Sequence, residues 1–137
     1  WPNDVTGTVI SGCSVTDVTA ATYGYGHGIK MNGVGEVTDC TIARVTAGIM
    51  GVADTPGTVT ITGNSITDLT GDTTTPYDIG INLWCKHGSS PVAIIENNSV
   101  TASVADNGGI YLVRPGVGSR WRRCREGSAA ASPWPVR

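Results

Sequence analysis

The chain alternates apolar and polar residues over short spans, most clearly in Thr58-Val-Thr-Ile-Thr62, where threonines separate Val59 from Ile61. A period of two marks a strand with one buried face. Gly63-Asn64 interrupts the alternation and bends the chain. Ser65-Ile66-Thr67 then reads as a second short strand whose Ile66 faces the same interior as Ile61. Residues 70–78 are polar, contain Gly, Pro and Asp, and form an exposed loop. Alternation resumes in Ile79-Gly-Ile-Asn-Leu-Trp84, a third strand with Ile81 and Leu83 inward. Residues 85–91 return the chain to a strand at 92–95 that repeats the first. No segment has the period of an amphipathic helix.

The unit recurs. Ile10-Ser-Gly-Cys-Ser-Val15, Val37-Thr-Asp-Cys-Thr-Ile42, Ile61-Thr-Gly-Asn-Ser-Ile66 and Ile95-Glu-Asn-Asn-Ser-Val100 share a β-branched residue at each end and a small residue fourth. Each is followed by a Gly-Ile pair, at Gly28, Gly48, Gly80 and Gly109. The fourth positions, Cys13, Cys40, Asn64 and Asn98, lie 27, 24 and 34 residues apart, the period of solenoids and arrays. Three short strands per repeat make each repeat one coil of a parallel β-helix, with neighbouring coils pairing strand on strand at about 4.8 Å. The hexapeptide repeat of the left-handed helix and the Gly-Gly-x-Gly-x-Asp calcium repeat are both absent. A β-sandwich would use short strands too, but would not repeat one phrase at one bend.

Composition agrees with an all-β reading: 19 Gly, no Phe and 15% charged residues argue against a coiled coil and against an acidic disordered chain. Four coils is near the minimum for a solenoid, and neither a capping helix nor a polar terminal coil precedes the first repeat, so exposed apolar ends and self-association are expected. No apolar run is long enough to span a membrane, and no signal segment opens the chain. Because residue 1 is Trp, the chain reads as a fragment or processed piece. Charge divides it in two: residues 1–113 hold three basic against ten acidic residues, whereas residues 114–137 hold six Arg and one Glu. The repeats are therefore assigned to residues 1–118. Residues 119–137, with no repeat phrase and no alternation, are expected to be a disordered tail rather than a nucleic-acid-binding arm.

The phrase apolar-x-Gly/Asn-Asn-x-apolar followed by a Gly-Ile-x-Leu strand resembles the right-handed parallel β-helix superfamily, which includes pectate lyases, polygalacturonases, alginate epimerases, phage tailspikes and NosD-like carbohydrate-binding proteins. The resemblance covers residues 7–113 and implies a right-handed coil. It speaks to fold more than function, because those families differ in the residues displayed on the coil. It also implies an inward ladder at the bend, formed by Cys13, Cys40, Asn64 and Asn98, whose amides bond along the stack. Cys13 and Cys40 on adjacent coils are close enough for a disulfide but are expected to be free thiols.

Function is expected on the strand after each Gly-Ile. Aligning the four copies gives an outward column of Lys30, Met50, Asn82 and Tyr111 and a second of Asn32, Val52, Trp84 and Val113. In the resembling families sugar chains lie along this face. There Trp84 and Tyr111 could stack on a pyranose ring while Lys30 and Asn82 bond hydroxyls or carboxylates. Exposed aromatic residues on a β-helix can equally be cover for a loop. Asp78 and Asp106 precede this strand in successive coils and, if stacked, could approach to about 5 Å, the separation used by retaining glycosidases. Gly26-His27-Gly28-Ile29 is similar to the Gly-His-Gly of polygalacturonases. The Asn-x-Asp, Asp-Asp and Arg-x-Lys that accompany it there are missing, so His27 also reads as the free position of a generic lead-in to the third strand. A calcium site is implied only if the chain is lyase-like, and its scattered aspartates form no recognisable site. No Cys-x-x-Cys pair or His cluster offers a zinc site.

These readings converge on an extracellular or cell-surface β-helix fragment that binds polysaccharide. Two alternatives stand beside it: a polysaccharide lyase or glycoside hydrolase whose catalytic acids lie partly outside the chain, with Asp78, Asp106 and His27 as candidate catalytic residues, and a structural or tailspike-like stalk.

Overall fold

The computed structural model describes residues 7–18, 26–53, 55–70, 79–85, 91–102 and 109–113. Among them every regular element is a strand: β1 (Thr8–Ser11), β2 (Ser14–Thr16), β3 (His27–Asn32), β4 (Gly35–Thr38), β5 (Thr41–Ala43), β6 (Ala47–Ala53), β7 (Thr58–Thr62), β8 (Ser65–Leu69), β9 (Ile81–Cys85), β10 (Val92–Glu96), β11 (Ser99–Ala102) and β12 (Ile110–Val113). They form three four-stranded sheets, in the orders β1-β4-β7-β10, β2-β5-β8-β11 and β3-β6-β9-β12. All pairings are parallel. Every third strand thus returns to the same sheet, an order compatible with a parallel β-helix-like fold.

Register turns the repeated phrase into columns. Ile10, Val37, Ile61 and Ile95 pair in sequence across the first sheet. Val15, Ile42, Ile66 and Val100 do so across the second, and Ile29, Ile49, Ile81 and Ile110 across the third. The middle members, Val37, Ile61, Ile42, Ile66, Ile49 and Ile81, are at most 1% exposed. Full burial of such a side chain contributes about 1.5–3 kcal/mol, so the stacked interior is the main source of stability. Burial is uneven in the terminal strands: Ile29 and Ile95 stay at 6% and 2% exposed, whereas Ile10, Val15 and Val100 are only partly buried and Ile110 is 37% exposed.

The glycine of the first three Gly-Ile pairs, Gly28, Gly48 and Gly80, has a steric cause, whereas Gly109 has open space around it and a positive φ of 105°. A Cβ on Gly48 would fall inside contact distance of the Gly80 carbonyl oxygen and the Ile66 side chain, and one on Gly80 would meet Val100. The third sheet meets the second too closely at this point for any side chain. Two further columns turn the chain between sheets. At the first corner Gly12, Asp39, Gly63 and Asn97 all have positive φ, from 53° to 68°. At the second, Asp17, Arg44 and Asp68 take φ of 61°, 53° and 53°. The residue after each of the latter, Val18, Val45 or Leu69, packs into the core. Sequence reading ended the second strand at Thr67; β8 instead continues to Leu69, because the left-handed turn at Asp68 swings Leu69 into the interior at 0% exposure.

Residues 119–137 lie outside the described residues. No helix among the described residues is long and apolar enough to cross a membrane.

Candidate functional site

The first corner is an amide stack. Asn64 and Asn98 are 1% and 8% exposed, so each of their polar atoms needs a partner. The Asn64 N–H donates to Asn98 Oδ1 at 3.0 Å, and the Cys40 N–H donates to Asn64 Oδ1 at 3.0 Å. Asn64 Nδ2 also donates to Asn98 Oδ1, at 2.9 Å. The other direction of the stack is served by carbonyls one coil back: Asn98 Nδ2 donates to the Ile61 oxygen at 2.8 Å and Asn64 Nδ2 to the Val37 oxygen at 3.0 Å. Cys40 Sγ makes the equivalent, weaker contact with the Ile10 oxygen at 3.8 Å. In every case the acceptor is the residue three before the corner position of the preceding coil. Asn64 Nδ2, Cys40 Sγ and Cys13 Sγ in addition reach the carbonyl two residues back in their own coil, at 3.1, 3.3 and 3.6 Å. Cys13 and Cys40 are free thiols, the first exposed and the second buried. Cys13 was read from sequence as inward; it is exposed because its corner closes the first coil and no earlier described coil covers it.

The second corner is open to solvent and charged. Arg44 Nε and an Arg44 NH2 group donate to the two carboxylate oxygens of Asp17 at 2.6 and 2.8 Å, a two-pronged contact between successive coils. The guanidinium hydrogen bond, helped by one from Thr16, holds the Asp17 carboxyl below its usual value of 3.8. Arg44 is raised in turn by Asp17, and more weakly by Asp68 on the following coil. In the sequence Asp17 stands alone, between Thr16 and Val18. The fold supplies its partner 27 residues away.

On the third sheet the two expected columns are in register: Lys30 with Met50, Met50 with Asn82 and Asn82 with Tyr111; then Asn32 with Val52, Val52 with Trp84 and Trp84 with Val113. Their exposure differs from strand to strand. Lys30 and Asn32, on β3 at the sheet edge, are exposed, Met50 and Val52 are intermediate, and Trp84 is 38% exposed. Asn82 departs from the expectation of a displayed hydrogen-bonding residue. It is 6% exposed, has β6 and β12 on either side, and its Oδ1 has no hydrogen-bond partner among the described residues. Tyr111 is placed on β12 by register alone.

His27 opens β3, opposite Ala47, and is half-buried. Burial, and then the charge of Lys30, push its pKa below the ordinary 6.5. Asp78 and Asp106 lie outside the described residues, so His27 is the one member of the candidate catalytic set whose position is described. Among the described residues no three His, Cys, Asp or Glu side chains are grouped to hold a metal ion.

Comparison of the chain with protein families, with curated proteins and with solved structures finds no match.

Proposed function

We propose that the described core is a right-handed parallel β-helix of about four coils, three strands to each, and that it binds polysaccharide across the outer face of the β3-β6-β9-β12 sheet. The right hand follows from the strong chiral preference of parallel crossover connections. The observation that carries the binding reading is Trp84, a large aromatic left 38% exposed on the sheet, in register beside Val52 and two strands from the exposed Lys30 and Asn32. An indole face on a rigid strand offers apolar area to a sugar ring at low entropic cost. Lys30 adds a donor and a charge that favour acidic glycans. The unpartnered Asn82 Oδ1 beneath this surface is the acceptor a hydroxyl would meet if binding opened the face.

The test is titration of neutral and uronic-acid polysaccharides followed by fluorescence. The chain holds four Trp, so the signal is the difference between the native protein and Trp84→Ala. A saturable change lost in Trp84→Ala is expected, with weaker uronate binding at high salt or in Lys30→Ala. Equal titrations of native and variant protein overturn the reading.

A further inference from the structure

The chain contains seven asparagines, and Asn97 alone has a serine or threonine two residues on, in Asn97-Asn98-Ser99. Asn-x-Ser, with x other than Pro, is the acceptor triplet for N-linked sugars. So short a pattern also arises by chance, and the fold decides whether it can be used. Transfer needs an amide nitrogen that reaches solvent, a hydroxyl close by that does the same, and room for a bulky product.

The first corner separates the two adjacent asparagines. Asn98 is 8% exposed, and its Nδ2 is committed to the Ile61 oxygen at 2.8 Å. Asn97 takes the position before the ladder residue, with φ of 55°, and is exposed. Asparagine tolerates this left-handed backbone, which here turns one side chain out and sends the next one in. The exposure belongs to the corner and not to one coil. Gly12, Asp39 and Gly63 hold the same position with φ of 63°, 53° and 68°, and all three are exposed. Asp39 and Gly63 adjoin β4 and β7, which have strands on both sides. Ser99 opens β11 and is exposed, as is Thr41 at the same register position in an inner strand. The Ser99 N–H donates to the Asn64 oxygen at 2.8 Å, so this residue is anchored by its main chain.

We propose that Asn97 is the acceptor of an N-linked glycan when the chain enters a secretory compartment. Asn97 Nδ2 bonds C1 of the first sugar of a polyprenyl diphosphate-linked oligosaccharide. The C1–O bond breaks, the diphosphate leaves with its electron pair, and Nδ2 gives up one proton. The sugar then extends into solvent, and the Asn98 amide behind it keeps its place in the ladder. Because this corner joins the first and second sheets, the sugar is attached away from the β3-β6-β9-β12 sheet. The proposal takes the chain to be extracellular and is independent of the polysaccharide reading.

The test expresses the full chain behind a cleavable secretory leader in eukaryotic cells. Only molecules from which the leader has been removed are analysed, so all of them have entered the compartment. Their masses are measured before and after treatment with peptide N-glycosidase in heavy-oxygen water, followed by peptide mapping. Expected is one glycan per chain, with the heavy-oxygen label left at position 97 on release. Ser99→Ala and Asn97→Asp should lose the glycan, whereas Ser99→Thr should keep it. Aspartate already occupies this corner position at Asp39, so Asn97→Asp is expected to fold, and circular dichroism checks it. The urea midpoints of the glycosylated and the enzyme-released chains should coincide. A leader-free chain without glycan overturns the proposal, as does a glycan that persists in Asn97→Asp. A midpoint lowered by the sugar overturns its outward placement.

Discussion

Each repeat turns twice, and the two turns use the same backbone device with opposite surroundings. At the first corner a left-handed residue, such as Gly63, is followed by a buried amide that bonds to both neighbouring coils. At the second the left-handed residue, exposed as it is at the first, carries in Asp17 and Arg44 the charge that joins repeats, and the residue after it is apolar rather than an amide. Asn64 is 1% exposed, whereas the side chains of Arg44 and Asp17 are 53% and 62% exposed. A buried polar group is costly unless satisfied, so the first corner is specified strongly. An exposed ion pair is screened by solvent and holds the second corner only weakly. The apolar residue after that corner, Val45 or Leu69, does more to fix it, since each is fully buried.

The largest expected effect is therefore at Asn64. Asn64→Ala strands the Cys40 N–H and the Val37 oxygen inside the stack and removes one of the two donors to Asn98 Oδ1, leaving the backbone N–H of residue 64. Unsatisfied buried groups cost about 1–3 kcal/mol apiece, so a loss of about 3–4 kcal/mol is expected in urea unfolding. Asn98→Ala strands the Asn64 N–H and the Ile61 oxygen in the same way, and its loss should be similar or slightly smaller because Asn98 is 8% rather than 1% exposed. A double variant that loses the full sum of the two single losses would show that the amides act separately rather than as a stack. Arg44→Ala should lower the unfolding midpoint only slightly, and by less at high salt. A loss as large as that of Asn64→Ala would erase the distinction between the corners.

Acid sharpens the same contrast. The Asp17 carboxyl is held below 3.8 in the folded chain, so its contribution is complete above the unfolded value and fades as pH falls through the folded one. Arg44→Ala should remove that step. His27 has a folded pKa below 6.5, so the folded state binds fewer protons than the unfolded state just under that value. Stability from His27 is complete above 6.5 and falls as pH drops toward the folded value. His27→Gln should flatten this second, small decline in a urea midpoint followed against pH. A midpoint that rises as pH falls below 6.5 in the native protein, and not in the variant, would reverse the assignment.

Much of the first corner was legible in the sequence because its phrase recurs with the same residue types: β-branched ends fix the inward columns, and Asn or Cys marks the bend. The Gly-Ile pairs were legible for the same reason, although the close approach of Gly48 to Gly80 that requires them appears only in three dimensions. The second corner was not, because Asp17, Arg44 and Asp68 share a backbone conformation and not a side chain. Their one common signal is the apolar residue that follows each of them. On the third sheet, alternation identified which residues share the outer face but not how crowded each would be. Lys30 lies on an edge strand and stays exposed, while Asn82 lies between two strands and is buried. The polysaccharide reading therefore rests on Trp84 rather than on the whole column.

The central claim is that successive repeats are joined at the first corner, from Cys40 through Asn64 to Asn98, by one continuous hydrogen-bonded stack. Through-hydrogen-bond NMR couplings test it directly, from the Asn64 amide nitrogen to the side-chain carbonyl carbon of Asn98 and from the Cys40 amide nitrogen to that of Asn64. The account predicts both couplings, together with slow hydrogen exchange of the two amides. Absence of both, with rapid exchange at Cys40 and Asn64, would contradict it.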